Sequence, residues 1–498
     1  MRRFVKSFHI GRFLSPFLLA AAVCACSGDD ETVVTGITLS VQEMSFGSEG
    51  GTQAFIVKSQ EKPSVASSDD WIGIQTGEQS KTLKETKVIL TVSANTGEDR
   101  SAIVTATAGK ENRTVNITQK GVSVPTRTAM DIAKDMYPGW NLGNTLEAGP
   151  CSWLPKKLDW ETGWQPTKTT QAIIDCVKES GFHAIRIPCA WETHSDSNGI
   201  IDAAWMARVR EIVDYCMNAG LYVVLNDHWD NGWIEVDGFS DLSEANVSAK
   251  EKRLSDIWTQ VATEFRNHSD YLLFAGFNEP HCADQPTTDV LIRYEQAFIN
   301  AVRASGGNNT TRFLVVQGSS TDINRSIEYY DVTRLSDTAE KALMIEVHYY
   351  DPGQFCGTWD STGGSAFYYW GAVNHTGRHD ANWGEESHMA GQFAKLKDKY
   401  TSKGYPVIIG EYAGQQRTLP AGENQAKHNA SVKLFYKCVN EYAVNNGLVP
   451  FAWDTNSPED LKKEPGAGTI IDRAGCKVVG IYAMEGIKEG VAAANWPY

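Results

Sequence analysis

The chain has no basic block, and its formal net charge of −15 over 498 residues makes it a poor ligand for nucleic acid or an anionic lipid surface. It offers no apolar segment near its start that could cross a bilayer as a helix. The run at 13–23 is eleven residues long, where about 20 are needed. None of its 10 cysteines forms a CxxC pair, which removes the usual spacing of a structural zinc site. The glycines at Gly139 and Gly143 do not complete a GxGxxG turn, so a doubly wound dinucleotide-binding sheet loses its signature. Internal repeats and low-complexity tracts are absent as well. What is left is a chain that is 42% apolar and 21% charged, able to bury a large core. A neutral partner is expected.

Arg2, Arg3, Lys6 and Arg12 precede the short apolar run, the pattern of an export signal covering residues 1–25. The segment Val23-Cys24-Ala25-Cys26 resembles a bacterial lipobox. That resemblance implies acylation of Cys26, a lipid anchor rather than a spanning helix, and a place on the outer-membrane cell surface. The acidic residues Asp29, Asp30 and Glu31 resemble a surface-export tag. Simple secretion with cleavage elsewhere is the alternative. Of the remaining cysteines, Cys176, Cys189 and Cys216 sit in apolar patterns and read as small buried hydrophobes.

Residues 35–121 alternate apolar and polar positions in short runs, at 54–57, 87–92, 102–107 and 114–118, separated by Gly, Ser and Asn. This predicts a small all-β sandwich. Its signals, Asp70-Trp71-Ile72, Arg100 and the closing Gln119-Lys120-Gly121, resemble the BACON domain. A linker at 122–128 contains Pro125. From 129 to 498 the pattern changes to strands alternating with amphipathic helices. Strands are expected at 139–142, 184–188, 222–226, 272–278, 313–317, 343–348, 407–410 and 448–453. Eight such units predict an α/β fold, a (β/α)8 barrel of the TIM type.

In that fold the C-terminal strand ends converge on one cleft. The residues there are Asn144, Arg186, His228, Asn278, Glu279, His348, Tyr350, Glu411 and Trp453, a concentration of polar groups at one end of an apolar barrel. Carboxylates at strand tips are costly unless chemistry uses them. The stretches around Trp140-Asn141, Arg186, Asn278-Glu279-Pro280, His348-Tyr349-Tyr350, Gly410-Glu411-Tyr412 and Ala452-Trp453-Asp454 resemble glycoside hydrolase family 5, the cellulase family, and most closely its subfamily 4. Trp229 stands where the family usually has a second histidine.

The resemblance implies a retaining endo-β-1,4-glucanase acting on cellulose, mixed-linkage β-glucan or xyloglucan by double displacement. It assigns Glu411 as nucleophile and Glu279 as acid/base. Arg186, His228, Asn278, His348, Tyr350, Trp453 and Asn144 would support them or bind sugar, no metal or organic cofactor would be required, and the protein would act as a monomer. The charge of Glu411 is expected to raise the pKa of Glu279. The alternatives are a xyloglucan-specific endoglucanase and a non-catalytic surface lipoprotein that binds glycan. His228 with Asp227 and Asp230 could instead be a metal cluster, although no second histidine at helical spacing supports it. Tryptophans 153, 160, 164, 229, 233, 359, 370 and 383 fall in loop-like stretches, where flat rings can stack on sugars.

Overall fold

The computed structural model describes residues 34–47, 50–95, 99–121, 127–357, 366–457 and 468–498. The expected export signal, Cys26, Trp359 and most of the expected linker lie outside them. The chain divides into two compact units, Met1–Val122 and Ser123–Tyr498.

In the first unit, eight strands form two sheets: β1 (Thr38–Leu39), β2 (Glu43–Phe46), β3 (Gly51–Lys58), β4 (Ser64–Ser67), β5 (Ile72–Gln79), β6 (Glu85–Val92), β7 (Arg100–Ala108) and β8 (Glu111–Gln119). The sheet orders are β1-β3-β6-β5 and β2-β8-β7-β4. Period-2 alternation decides which face is buried. On β6, Val88, Leu90 and Val92 point into the core, while Lys87 and Thr91 are exposed. Phe46, Phe55, Val57, Val104 and Ile117 complete that core. Trp71 packs only half-buried at its edge, with the Arg100 guanidinium 4.3 Å above its ring.

The second unit is a closed barrel of eight parallel strands: β9 (Gly139–Asn141), β10 (Ala184–Ile187), β11 (Tyr222–Asn226), β12 (Leu272–Ala275), β13 (Leu314–Gln317), β14 (Leu343–Tyr349), β15 (Val407–Tyr412) and β16 (Leu448–Ala452). Alternation again sorts the side chains. Val224, Leu273, Val315, Met344, Ile408 and Val449 fill the interior, whereas Val223, Leu225, Ile345, Val407 and Ile409 pack outward against the helical layer. The interior is therefore a packed core. Helix Ala129–Met136 begins with a capping box between Thr128 and Asp131 and lays Ile132, Ala133 and Met136 on the same cluster. Gly139 is required where β9 meets β16, since a Cβ there would lie 2.4 Å from the Phe451 ring.

Two strand ends differ from expectation by more than one residue. β12 stops at Ala275 because the Phe277 amide turns away to the Gln317 side chain at 3.0 Å. β15 instead continues through Glu411 to Tyr412, and β14 runs through His348 to Tyr349, one residue past expectation. After β16, a short hairpin of β17 (Ile471–Asp472) and β18 (Lys477–Val478) folds beside the barrel end. Among the described residues no helix is long and apolar enough to cross a membrane, and all described cysteines are free thiols. Cys189 and Cys216 are buried as expected, but Cys176 is only half-buried.

Candidate active site

The site begins with a fault in strand pairing. Val347 pairs with Ile409, but the next residue, His348, pairs with Glu411, so Gly410 is an extra residue in β15. A regular strand would send Gly410 inward and Glu411 outward. The bulge lets two successive residues face the interior, and Tyr412 returns to the outer layer. Gly410 must be glycine: its Cβ would lie 1.8 Å from Glu346 Oε1.

Arg186 on β10, fully buried, organises the centre. Its Nη1 donates to Glu411 Oε1 and to Asn141 Oδ1, both at 3.0 Å, and its Nη2 donates to Asn278 Oδ1 at 2.7 Å. Its Nε lies 2.8 Å from Glu346 Oε1. The Tyr350 hydroxyl donates to Glu411 Oε2 at 3.0 Å. His348 Nδ1 is 2.6 Å from Glu279 Oε1 and 3.7 Å from Glu411 Oε2, while its Nε2 is 3.3 Å from Glu346. One oxygen of each of Glu279 and Glu411 and a ring nitrogen of His348 lie within 4.8 Å of one another. Three carboxylates thus share two cations.

Burial disfavours charge on His348, yet the carboxylates of Glu411, Glu279 and Glu346 raise it to about 10. Protonated at Nδ1, it offers no lone pair to a cation despite the close spacing. Burial likewise pushes Glu279 up, but the His348 hydrogen bond and the charges of His348, Arg186 and His281 outweigh it and hold the carboxyl below its usual range. Glu411 goes the other way: burial raises it, and the charge of Glu279 adds to that against His348 and Arg186. This reverses the order expected from the sequence. The reason is His348, which stands between the two glutamates and offsets their repulsion.

Asn144, His228, Asn278, Glu279 and Trp453 line one cavity of about 340 Å³ together with Glu147, Trp164, Trp229, Glu235 and His281. His228 stacks on the Trp453 ring at 5.6 Å and places Nε2 4.0 Å from Glu411 Oε1. Burial, then Arg186 and His348, hold it well below the usual histidine range, so it is neutral. The possible metal cluster around it is not assembled. Asp230 accepts the backbone amides of Trp191 and Thr193 at 2.7 and 2.9 Å, and Asp227 accepts the Trp233 indole at 3.2 Å. Of the loop tryptophans, Trp153, Trp164, Trp229 and Trp383 are exposed by 37% to 65%, whereas Trp160, Trp233 and Trp370 are buried.

Sequence reasoning missed Glu346, Asn141, Glu147 and Glu235. Glu346 carried a signal, a lone carboxylate inside an apolar strand two residues before His348. Glu235 carried none, since it lies in an irregular loop.

Two family models match the chain. One is Cellulase (glycosyl hydrolase family 5), over residues 150–459, and the other is BACON, described as a putative N-terminal binding domain, over 60–120. The chain belongs to glycosyl hydrolase family 5. Within family 5, it is 31% identical over 475 residues to a xyloglucan-specific endo-β-1,4-glucanase of Bacteroides ovatus, covering 89% of this chain and 91% of that one. A family 5 xyloglucan-specific β-1,4-glucanase from a ruminal metagenomic library, solved with the oligosaccharide XXLG, is 59% identical, with a TM-score of 0.71 over 75% of this chain and 98% of that one. A broad-specificity family 5 endoglucanase from Bacteroides salanitronis is 30% identical, with a TM-score of 0.64 over 73% and 95%. The protein is accordingly a glycoside hydrolase built on the family 5 (β/α)8 barrel.

Proposed function

We propose that this family 5 enzyme is a retaining endo-β-1,4-glucanase whose preferred substrate is the decorated backbone of xyloglucan. The observation that carries the substrate is the 59% identity to a xyloglucan-specific glucanase over 98% of that enzyme, against 30% to the broad-specificity one. The reaction class is supported by the carboxylate spacing, within 4.8 Å at the closest oxygens, which suits direct attack; an intervening water needs about 6.5 Å or more.

In this reading Glu411 attacks the anomeric carbon. Both of its oxygens accept hydrogen bonds, from Arg186 and from Tyr350, and neither partner has reason to accept a proton from it. Attack converts the carboxylate to a glycosyl ester. The proton for the leaving oxygen is stored in the 2.6 Å hydrogen bond between His348 and Glu279 and leaves through Glu279. Glu279, then a carboxylate, takes a proton from the incoming water, and the ester is cleaved with net retention. Asn278 Oδ1 accepts from Arg186, which leaves its Nδ2 donors for a sugar hydroxyl. Trp453 is the ring platform, and His228 and Asn144 contact sugar.

We also propose that the protein is an exported lipoprotein, anchored through Cys26 to the outer membrane with the barrel outside the cell, and that it acts as a monomer. Its support is the lipobox-like segment that ends at Cys26.

The test of function is product formation on xyloglucan, barley β-glucan and carboxymethylcellulose by wild type and by Glu411→Gln. The expected result is a kcat/KM at least about 10-fold higher on xyloglucan, a gap of about 1.4 kcal/mol, and a loss on the order of 10⁴-fold in Glu411→Gln with glycan binding retained. Equal turnover of the three polymers would remove the substrate assignment. Undiminished turnover by Glu411→Gln would remove the mechanism.

A further inference from the structure

Glu235 is a buried carboxylate that the mechanism above does not use. It follows β11 by nine residues and lines the same cavity as Glu279. Its Oε1 accepts two backbone amides, from Glu279 at 2.8 Å and from Trp229 at 3.2 Å. Its own carbonyl accepts the His281 amide at 2.8 Å. One residue therefore grips the 279–281 segment at both ends and ties it to the loop that carries Trp229.

That loop needs holding. Trp229, Asp230 and Asn231 have φ of 54°, 44° and 60°, three successive residues in the left-handed region. Such backbone persists only where the surroundings over-determine it. Here two buried carboxylates do so, Asp230 from the side of Trp191 and Thr193 and Glu235 from the side of Glu279.

We propose that Glu235 is a positioning residue for the acid/base: its carboxylate fixes the Glu279 backbone against Trp229, and its negative charge makes the proton that His348 and Glu279 share harder to lose. The proposal rests on the reading of Glu279 as acid/base. The charged groups facing Glu279 are His348, Arg186 and His281, which favour its ionised form, against Glu411 and Glu235, which disfavour it. Those facing Glu235 are Glu279, Glu411 and Asp227. Burial holds Asp227 well above the carboxylate range, so it stays neutral. Burial, with the charges of Glu279 and Glu411 added against the two amides, pushes Glu235 itself up to about 7. Above that pH the charge is present and acts on Glu279.

The experiment compares the full-length wild type with Glu235→Gln, Glu235→Ala and Glu279→Ala on two substrates. One is a xyloglucan oligosaccharide, whose leaving sugar needs a proton, and the other is a 2,4-dinitrophenyl β-cellobioside, whose leaving group does not. Glu235→Gln keeps an oxygen for the amides and removes the charge. Its alkaline limb of kcat/KM should move to lower pH by about 1 unit, with KM within about 2-fold of wild type. Glu235→Ala also removes the acceptor. Its kcat/KM, which reports the first step, should fall about 100-fold on the oligosaccharide and less than about 10-fold on the aryl glycoside.

An unmoved alkaline limb in Glu235→Gln, or equal losses on both substrates in Glu235→Ala, would make Glu235 a fold residue only. If Glu235→Ala does not fold, the pH profile of Glu235→Gln decides alone. Glu279→Ala separates the two levels: if it loses equally on both substrates, the acid/base reading has failed and this proposal with it. If it spares the aryl glycoside while the Glu235 variants do not discriminate, only this proposal has failed.

Discussion

Replacing Glu346 by glutamine tests the charge arrangement of the whole site. The substitution keeps the shape and removes one negative charge from a fully buried position that faces Arg186 Nε at 2.8 Å, His348 Nε2 at 3.3 Å and Gln317 Nε2 at 2.8 Å. Removing one partner of a buried ion pair costs about 3 to 5 kcal/mol, because the remaining charge is left uncompensated. Total stabilities run from about 5 to 15 kcal/mol, so the variant should still fold and be measurably weaker. The pH dependence follows from the directions of the shifts. Glu346 is held below its ordinary 4.5, so its stabilisation is present above that pH and is lost on acidification. His348 is raised from 6.5 to about 10, so its stabilisation is full below 6.5 and is lost as pH rises toward 10. The gap between wild type and variant should therefore be widest from about pH 4.5 to 6.5 and should narrow on either side. Urea unfolding followed by tryptophan fluorescence at pH 5.5, 7.5 and 9.5 reads it. A gap below about 1 kcal/mol at pH 5.5, or one that widens toward pH 9.5, would refute the reasoning.

Gly410→Ala places a Cβ 1.8 Å from Glu346 Oε1, so either the carboxylate or the bulge must move. A stability loss of about 1 to 3 kcal/mol is expected, with a kcat loss of about 100-fold; wild-type kinetics would show that the bulge tolerates a side chain. Glu147, buried and bonded to the amide of Thr145 at 2.8 Å, is pushed by burial from 4.5 up to about 7. Its contribution to stability is full below pH 4.5 and is lost as pH rises through 7. Glu147→Gln should gain on wild type by about 3 kcal/mol between pH 4.5 and 8, and thermal melts showing a constant difference across that range would contradict this. Cys26→Ser should abolish metabolic labelling by a radioactive fatty acid, and retained label would place the modification elsewhere.

The barrel was legible because its strands are long apolar runs punctuated by helical periodicity, and the interior and exterior residues of β11 follow simple alternation. Glu411, Arg186, His348 and Tyr350 fall at strand ends in the expected order and meet in space. The charge balance was not legible. It depends on His348 standing between Glu279 and Glu411 and on Glu346 below them, distances that a linear pattern does not encode. The Gly410 bulge was also invisible, since Val407 to Gly410 reads as a regular strand with Glu411 at its tip. Trp71, Cys176 and the buried Trp160, Trp233 and Trp370 show the same limit, because composition tells what can be buried and packing decides what is.

The bulge at Gly410 makes the chemistry a matter of counting. Whether Glu411 faces the cavity or the helices depends on a single residue that has no side chain: with Gly410 paired in regular alternation, Glu411 would turn toward the helical shell although every residue of the site stayed the same. Grafting these side chains onto an idealised eight-fold barrel would fail for the same reason. The inherited part of such a design is the irregular spacing itself, and a scaffold lacking it would present the right letters on the wrong side of the wall.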